Sequence, residues 1–486
     1  MNKTTRILND KNPDKTGKTR YIILLMLFLV TTINYSDRAV LSIAGVPLAQ
    51  ELSIDPVSMG YIFSAFAWSY VIGQIPGGKL ADRYGSRRVY FWSILIWSIL
   101  TVLQAGVFIF KGVMLSGVIS LTVISLFTLR FLVGLAESPA FPGNSRVVSS
   151  WFPTKERGTA SAVFNSAQYF ATALFAPIIA WFTASLGWES AFIFMGCIGI
   201  VFSFIWLRVV YTPDKHPRIS SSEYDFIKTG GALVNLEGER VSESEDVQSA
   251  KKSESSRPKI TIRMLLSQRM LLGIYLAQYS ISTLTWFFIS WFPIYLIKER
   301  GMSILSAGFA ASLPAICGFC GGVLGGVISD TLLKKGYSLS FSRKIPIIFG
   351  MLCSMSIIVC NYIDSVSLVI FFMSLSFFGK GVGALGWAVV SDTSPKEAIG
   401  LSGGLFNTIG NISGIVTPIV IGYIIKMTNS FDWALVYVAC FALATIFFYV
   451  FMVGDIKRVN FSDLSPEFNN SSKNLPEIPF KKEIKH

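Results

Sequence analysis

Twelve apolar runs, each about 20 residues long, divide this chain and limit its fold more than any other feature does. A helix of that length just crosses the hydrocarbon layer of a bilayer. Hydrophobic residues make up 52% of the 486-residue chain. We therefore expect an all-α membrane protein with twelve transmembrane helices, numbered here as spans 1 to 12 and centred near residues 33, 69, 99, 128, 171, 200, 284, 316, 353, 378, 413 and 443.

The runs fall into two groups of six, separated by a polar stretch. This stretch is rich in Ser, Glu, Lys and Arg, so it cannot bury enough apolar surface to fold alone. We expect an N-terminal tail, a six-helix bundle, a linker, a second six-helix bundle and a C-terminal tail, at residues 1–20, 21–211, 212–262, 263–455 and 456–486.

The two groups of runs also repeat each other in sequence. Gly78 and Asp82 follow span 2 with the same spacing as Gly326 and Asp330 after span 8, and the stretch PTKERGTASAVFN aligns without a gap on PKEAIGLSGGLFN. Parallel repeats of six helices predict two bundles related by an axis along the membrane normal, with a binding site between them.

Lysine and arginine are concentrated in the N-terminal tail, the linker and alternate loops. This bias predicts a multi-pass protein with both termini in the cytoplasm. The net charge of +13 comes from these short clusters and not from one basic surface, which argues against nucleic-acid binding. The polar first twenty residues, with no small-residue cleavage pattern after the first run, predict no cleavable signal peptide.

Several motifs resemble those of a known family. The stretch GKLADRYGSRR is similar to the loop motif of the major facilitator superfamily, and NYSDRAVLSIA, RFLVGLAESPAFPGNSRVVSSWFP and FNSAQYFATALFAPI resemble its anion:cation symporters. Segments of spans 2, 8, 10 and 11 extend the resemblance to the bacterial glucarate (galactarate) transporters over nearly the whole membrane part. The resemblance implies alternating access and proton-coupled import of a sugar-acid anion across the bacterial inner (plasma) membrane.

Five charged side chains lie well inside apolar runs, namely Asp37, Arg38, Arg130, Glu137 and Lys380. Each costs roughly 2.5–3.5 kcal/mol at a bilayer centre, so such groups usually mark an ion or substrate path. The alternative for the first two is a helix end from which they reach the headgroups. That alternative is disfavoured because the apolar stretch SIAGVPLAQ continues beyond them.

The proton-coupling groups must be carboxylates, because no histidine lies in these runs. We expect Asp37 and Glu137 to take up and release protons, with Arg130 exchanging partners between them. Arg130 and Glu137 are seven residues apart, about two helical turns, and therefore face nearly the same side of span 4. The family resemblance supports this assignment. In the alternative interpretation each charge pairs statically with a neighbouring helix.

Arg38 is the expected substrate ligand, because a guanidinium grips a carboxylate with two parallel hydrogen bonds. Tyr35 lies on the same face. Lys380 places a second cation in the other bundle, so the pair suits an acid with a carboxylate at each end; alternatively, Lys380 caps a carbonyl near Gly379 and Gly381. The middle of a sugar acid needs neutral polar groups, and the candidates are Gln168, Trp387, Ser391 and Asn407, to which the resemblance adds Tyr70 and Gln278. For each of these six, a role in helix packing is an equal alternative.

A charged cluster after span 2 is expected to latch the cytoplasmic ends of the bundles in one state. It comprises Asp82, Arg83, Arg87 and Arg88, mirrored in the second half by Asp330. Alternatively, Asp82 caps the next helix.

We therefore expect a proton-coupled symporter for a sugar-acid anion, D-glucarate or galactarate before others. The alternatives are a transporter for a related monoacid (galactonate or hexuronate) and an exchanger or facilitator of the same fold. No Walker loop, metal cluster or nucleophile motif indicates an enzyme, and the few charges do not form the rings of a channel. We expect no cofactor or metal, the proton as coupling ion, the anion and the lipid bilayer as partners, and a monomer.

Overall fold

The computed structural model describes residues 17–115, 119–234, 260–395 and 398–460, with the backbone alone at Ile75, Asp82, Leu115 and Ile119. The predicted role of the Asp82 side chain therefore lies outside the described atoms. Most of the N-terminal tail, the later part of the linker and most of the C-terminal tail also lie outside the described residues.

The first half contains six long helical spans. Spans 1 and 2 are Thr19–Glu51 and Pro56–Tyr84, and span 3 is Ser86–Ala105 followed by a 3-10 helix at Gly106–Phe110. Span 4 is broken into Leu121–Glu137 and Ala140–Trp151, and spans 5 and 6 are Arg157–Leu186 and Trp188–Val209. Two-residue strands at Met114–Leu115 and Ile119–Ser120 pair in the loop before span 4.

The second half contains six more spans. Span 7 is Arg269–Ser290 and Phe292–Lys298, span 8 is Ile304–Lys334, and span 9 is Leu339–Ser354 followed by a 3-10 helix at Met355–Tyr362. Span 10 is Val366–Val382 and Gly386–Thr393, span 11 is Ile399–Thr428, and span 12 is Asp432–Phe447 followed by a π turn at Phe448–Met452. Short helices at Pro213–Lys215, Ser221–Thr229 and Ile262–Ser267 lie between the halves in sequence.

Eleven of these spans are long and apolar enough to cross a membrane. Span 2 is the twelfth long helix, and its apolar character is reduced by Ser64, Ser69, Tyr70 and Gln74. The prediction of an all-α membrane protein with twelve helices in two groups of six is confirmed.

Local sequence explains where several helices begin and break. Asp55 caps span 2 by accepting a hydrogen bond from the Val57 backbone N–H, and Pro56 occupies the first turn, where a missing N–H costs nothing. Span 4 breaks at Pro139, which cannot donate to the preceding turn. Glu137 is therefore the last residue of a helical segment. The corresponding break in span 10 follows Val382, and Lys380 lies in the turn before it.

The two halves pack together along spans 2 and 11 and along spans 5 and 8. Glycines permit the closest approach of the helix backbones. A Cβ atom added at Gly60 would lie 2.5 Å from the carbonyl oxygen of Pro418, and a Cβ atom added at Gly422 would lie 2.5 Å from the carbonyl oxygen of Pro56. Small residues at helix crossings allow backbones to meet in this way inside a membrane. We call this end of the molecule, where spans 1 and 2 are joined, the closed end.

The first part of the linker folds onto the first half. Glu223, on the helix Ser221–Thr229, is fully buried, and its carboxylate accepts hydrogen bonds from the backbone N–H groups of Thr19 and Arg20 at 3.1 and 3.0 Å. This carboxylate satisfies two of the free donors at the start of span 1. Arg20 also pairs with Glu156, just before span 5, at 3.2 Å. Spans 1 and 5 are thereby tied together at the end of the molecule opposite the closed end.

Candidate functional site

Arg38 and Glu137 form a buried ion pair between spans 1 and 4. Arg38 donates from Nη2 and Nε to the same oxygen, Oε2 of Glu137, at 3.0 and 3.2 Å. Glu137 is 0% exposed, and its other oxygen, Oε1, has no hydrogen-bond partner within the described chain. One carboxylate oxygen is therefore doubly bonded to the guanidinium, while the second is available to a proton.

Aromatic rings and an amide surround the guanidinium of Arg38. Its Nη2 also donates to Asn34 Oδ1 at 2.8 Å. Its central carbon lies 4.6, 4.4 and 5.0 Å from the ring centroids of Tyr35, Phe66 and Tyr70. Ring faces attract a cation and hold it in position. They do not occupy its N–H donors, which stay available for hydrogen bonds to an anion.

Asp37 on span 1 and Arg130 on span 4 carry two further charges, and no ion pair joins them among the described residues. Both are buried. Asp37 Oδ2 and Arg130 Nε and Nη1 nevertheless have no hydrogen-bond partner in the described part of the chain. Arg130 Nη2 makes one long contact, 3.5 Å, to the Arg38 backbone carbonyl. Glu137 pairs with Arg38 in this conformation, and the exchange of Arg130 between the two acids stays a prediction.

A cavity of about 630 Å³ lies between the halves, which we call the central cavity. Its wall is mostly apolar, and its polar side chains are Tyr35, Ser42, Gln168, Tyr169, Thr172 and Thr285. A smaller cavity of about 300 Å³ reaches Arg38, Tyr70 and Asn144 within the first half, and Tyr35 lines both cavities.

Lys380 is the buried cation of the second half, with an exposed fraction of 6%. Its ammonium nitrogen lies 3.5 Å from the Tyr169 hydroxyl of span 5 and 5.0 and 5.4 Å from the ring centroids of Phe377 and Tyr169. It forms no ion pair with a carboxylate among the described residues. Both of these aromatic residues line the central cavity.

The predicted neutral residues divide between two places. Gln168 lines the central cavity and Tyr70 lines the smaller one. Asn407 donates to Gln74 Oε1 at 3.1 Å, which joins the two halves through spans 11 and 2. Gln278 donates to Ser282 Oγ at 3.3 Å within span 7.

Trp387 and Ser391 lie on the second segment of span 10. Trp387 packs against Phe406 and is 48% exposed. Ser391 is exposed, and its backbone carbonyl accepts a hydrogen bond from Arg458 at 3.0 Å. Neither residue lines the central cavity.

Of the predicted latch residues whose side chains the structure describes, Arg83, Arg87 and Asp330 contact groups in their own halves. Arg87 donates to the Leu207 carbonyl, Arg83 lies over the ring of Tyr84, and Arg88 is exposed. In the second half Asp330 pairs with Arg343 at 3.6 Å, and Arg343 also pairs with Asp392 at 2.9 Å. Two further contacts between the halves lie at the closed end, where Lys426 pairs with Asp55 at 3.3 Å and the hydroxyls of Tyr61 and Tyr423 are 3.4 Å apart.

Sequence reasoning missed Asn34, Phe66, Gln74 and Tyr169. Asn34 precedes Arg38 by one helical turn, so its contact could have been predicted from i, i+4 spacing. Phe66, Gln74 and Tyr169 each touch a residue on a different span, and no local sequence pattern distinguishes them from residues that only pack helices together. Across the described ranges, no three His, Cys, Asp or Glu side chains lie close enough together to hold a metal ion.

Comparison with curated proteins finds similar chains that are named as transporters. The chain is 57% identical to "Probable galactarate/D-glucarate transporter GudP" of Escherichia coli (strain K12), over 92% of this chain and 96% of that protein. It is 52% identical to "Probable galactarate/D-glucarate transporter GarP" of the same strain, over 93% and 99%. It is 40% identical to the "D-galactonate transporter" of Escherichia coli O6:H1, over 92% and 99%.

Comparison with solved structures finds the same fold at low sequence identity. A D-xylose-proton symporter matches with a TM-score of 0.67 and 15% identity, over 90% of this chain and 98% of that one. A bacterial homologue of the human lysosomal transporter Spinster, in an inward-facing and occupied conformation, matches with a TM-score of 0.66 and 15% identity, over 90% and 97%. The family model of the Major Facilitator Superfamily matches residues 27–418. This chain is therefore a multi-pass transporter, not an enzyme, and it belongs to the Major Facilitator Superfamily.

Proposed function

We propose that this protein is a proton-coupled symporter that imports a sugar diacid, D-glucarate or galactarate, by alternating access. The observation that carries the proposal is the buried ion pair of Arg38 and Glu137, which joins a strong carboxylate ligand directly to a group that can take up a proton. The relatives named as probable galactarate/D-glucarate transporters support the choice of substrate.

Substrate and Glu137 compete for one guanidinium in this mechanism. While Glu137 is ionised, its Oε2 occupies both Nε and Nη2 of Arg38. A proton on Glu137 removes the negative charge that holds Arg38, so the guanidinium can turn to a substrate carboxylate. Loss of that proton restores the ion pair and expels the anion. Proton uptake and substrate binding therefore favour each other.

Asp37 and Arg130 provide a second protonatable pair beside the first. Their hydrogen-bonding atoms are incompletely used in this conformation, so protonation of Asp37 would break few existing contacts. The buried charges also suit an anion: three cations, Arg38, Arg130 and Lys380, face two carboxylates. The net charge of the site is +1 when both acids are ionised, and it becomes more positive as they are protonated.

The end at which the two halves meet is the basis for assigning this conformation within the alternating-access cycle. The halves meet at the closed end through the Asp55–Lys426 ion pair and through Gly60 and Gly422. The distribution of lysine and arginine predicts that both termini lie in the cytoplasm, so we assign the closed end to the outside and this conformation to the inward-facing state. Protonation and substrate binding would be completed in the opposite, outward-facing state.

Uptake into proteoliposomes tests the proposal. We expect an inward proton gradient to drive accumulation of labelled galactarate above its external concentration, and we expect unlabelled glucarate to compete. Uptake that equilibrates without responding to the gradient would instead establish a facilitator or exchanger. Stronger competition by galactonate than by either diacid would establish a monoacid transporter, in line with the 40% identical relative named for galactonate.

A further inference from the structure

Lys380 is a buried cation whose contacts are too weak to explain its position. The residue is 6% exposed, and its ammonium group lies near the rings of Tyr169 and Phe377. Removing an ammonium from water costs several kcal/mol unless an anion or several acceptors compensate. The described chain supplies a phenol oxygen at 3.5 Å and two ring faces, but no carboxylate. The site therefore lacks one negative charge.

The contact between Lys380 and Tyr169 leaves donors free on both partners. An ammonium has three donors and no acceptor, so Lys380 must donate to the Tyr169 oxygen. The phenol O–H of Tyr169 then remains available, together with the unused N–H groups of Lys380. Two donors of different kinds converge at this point, one from each half of the molecule.

Tyr169 also connects Lys380 to the Arg38 site. Tyr169 and Phe377 line the central cavity, and Tyr35 lines both this cavity and the smaller one that reaches Arg38. The ring centroid of Tyr35 lies 4.6 Å from the central carbon of the Arg38 guanidinium. Arg38 lies over the ring of Tyr35 and Lys380 donates to Tyr169, so each of these two tyrosines of the central cavity contacts one of the two cations.

We infer that Tyr169 and Lys380 together form a cross-bundle site for the second carboxylate of a diacid, with Tyr169 as a specificity-determining residue. The inference rests on the proposed function, because it assumes that the first carboxylate binds Arg38. In the empty protein Lys380 donates to the Tyr169 oxygen. When a diacid binds, the second carboxylate accepts hydrogen bonds from the ammonium and from the phenol, and so draws span 10 and span 5 together. A monoacid of the same length places a neutral hydroxyl there and gains much less.

Equilibrium binding to the purified full-length protein tests this inference, with galactarate and galactonate as matched six-carbon probes. We expect Lys380→Gln to weaken galactarate binding by roughly 10- to 100-fold, the factor for one lost charge-assisted hydrogen bond. Galactonate binding should change less than about threefold. Tyr169→Phe keeps the ring and removes only the hydroxyl, so galactarate binding should weaken about 3- to 10-fold, again with galactonate spared.

The double variant and two controls make the result specific. Because both groups hold the same carboxylate, Tyr169→Phe should add little in a Lys380→Gln background. Tyr279→Phe, on span 7 against Phe441, and Lys298→Gln, exposed at the closed end, should leave both affinities unchanged.

Each outcome decides one of the two proposals. Equal losses of galactarate and galactonate binding in Lys380→Gln would assign Lys380 a structural role and overturn the inference, as would unchanged galactarate binding. Either result leaves the proposed transport function intact when the wild-type protein still accumulates galactarate. Failure of the wild-type protein to bind galactarate would instead contradict the proposed function itself. Retained galactonate binding in each variant shows that the variant is folded.

Discussion

Nη2 of Arg38 lies 3.0 Å from Oε2 of Glu137, in a contact that joins residues 99 positions apart in the chain. Both side chains are buried. The residue best suited to bind a substrate carboxylate is therefore already bound to a carboxylate of the protein. Exchange of one carboxylate for the other is the simplest way to link an anion to a proton.

Glu137→Gln should uncouple transport from the proton gradient. The amide cannot take up or release a proton and binds Arg38 only weakly, so Arg38 remains available to substrate. We expect gradient-driven accumulation in proteoliposomes to be lost, while exchange of external for internal galactarate at equal pH continues. Glu299→Gln, an exposed residue at the closed end, is the control and should accumulate substrate normally. Persistent uphill uptake by the Glu137 variant would contradict the mechanism.

Asp37→Ala should destabilise the protein more than Asp37→Asn does. Removing the carboxylate takes one negative charge away from the surroundings of the buried Arg130 side chain, and an uncompensated buried charge costs several kcal/mol. Asparagine keeps a polar oxygen near Arg130 and should recover part of this loss. Thermal denaturation of the purified protein measures the difference. Both variants should also lose gradient-driven accumulation, and equal stability of alanine and wild-type proteins would show that Arg130 does not depend on Asp37.

Gly60→Leu should prevent the closed end from closing. Even a Cβ atom at this position would lie 2.5 Å from the Pro418 carbonyl oxygen, and backbone cannot easily move away. We expect the outward-facing state to become more populated. A cysteine introduced at Thr285, in the wall of the central cavity, should then react faster with an impermeant thiol reagent added from the closed-end side. Gly106→Ala is the matched control, because nothing lies within 4 Å of its added Cβ; equal labelling of both variants would exclude this role for Gly60.

Glu223→Ala should destabilise the first half through the linker. The change removes the acceptor for two backbone N–H groups at the start of span 1 and the buried partner of Arg20, which pairs with Glu223 at 3.7 Å. We expect a loss of about 3 kcal/mol in the free energy of unfolding, from the broken cap and the broken buried pair together. Asp225→Asn, an exposed change on the same short helix, should have little effect. Thermal denaturation compares the two, and equal melting temperatures would show that the linker helix does not hold span 1.

Most of the fold could be predicted from sequence because the membrane makes burial a local property. A run of apolar residues must span the bilayer wherever its neighbours are, so the twelve spans and the two halves follow from composition along the chain. The same reasoning identified five charged residues, because a charge in such a run is costly and usually marks an ion or substrate path. They are Asp37, Arg38, Arg130, Glu137 and Lys380.

The neutral residues of the site were harder to predict, because their types also serve helix packing. Gln168 lines the central cavity as expected, but Trp387 and Ser391 lie outside it and Asn407 bonds to Gln74. Tyr169 was missed, although it lies next to Gln168. Adjacent residues on a helix point about 100° apart, so only the positions of spans 8 and 10 determine which of them meets a cation.

The sequence by itself determined that this chain crosses a membrane twelve times in two similar halves and that five charges lie within its spans. Tertiary structure alone decided that Glu137 pairs with Arg38 and not with Arg130, and that Lys380 faces Tyr169. The physical reason is range: burial in lipid acts on each residue where it stands, whereas an ion pair requires two atoms about 3 Å apart. That distance depends on how the spans cross, which no local pattern specifies.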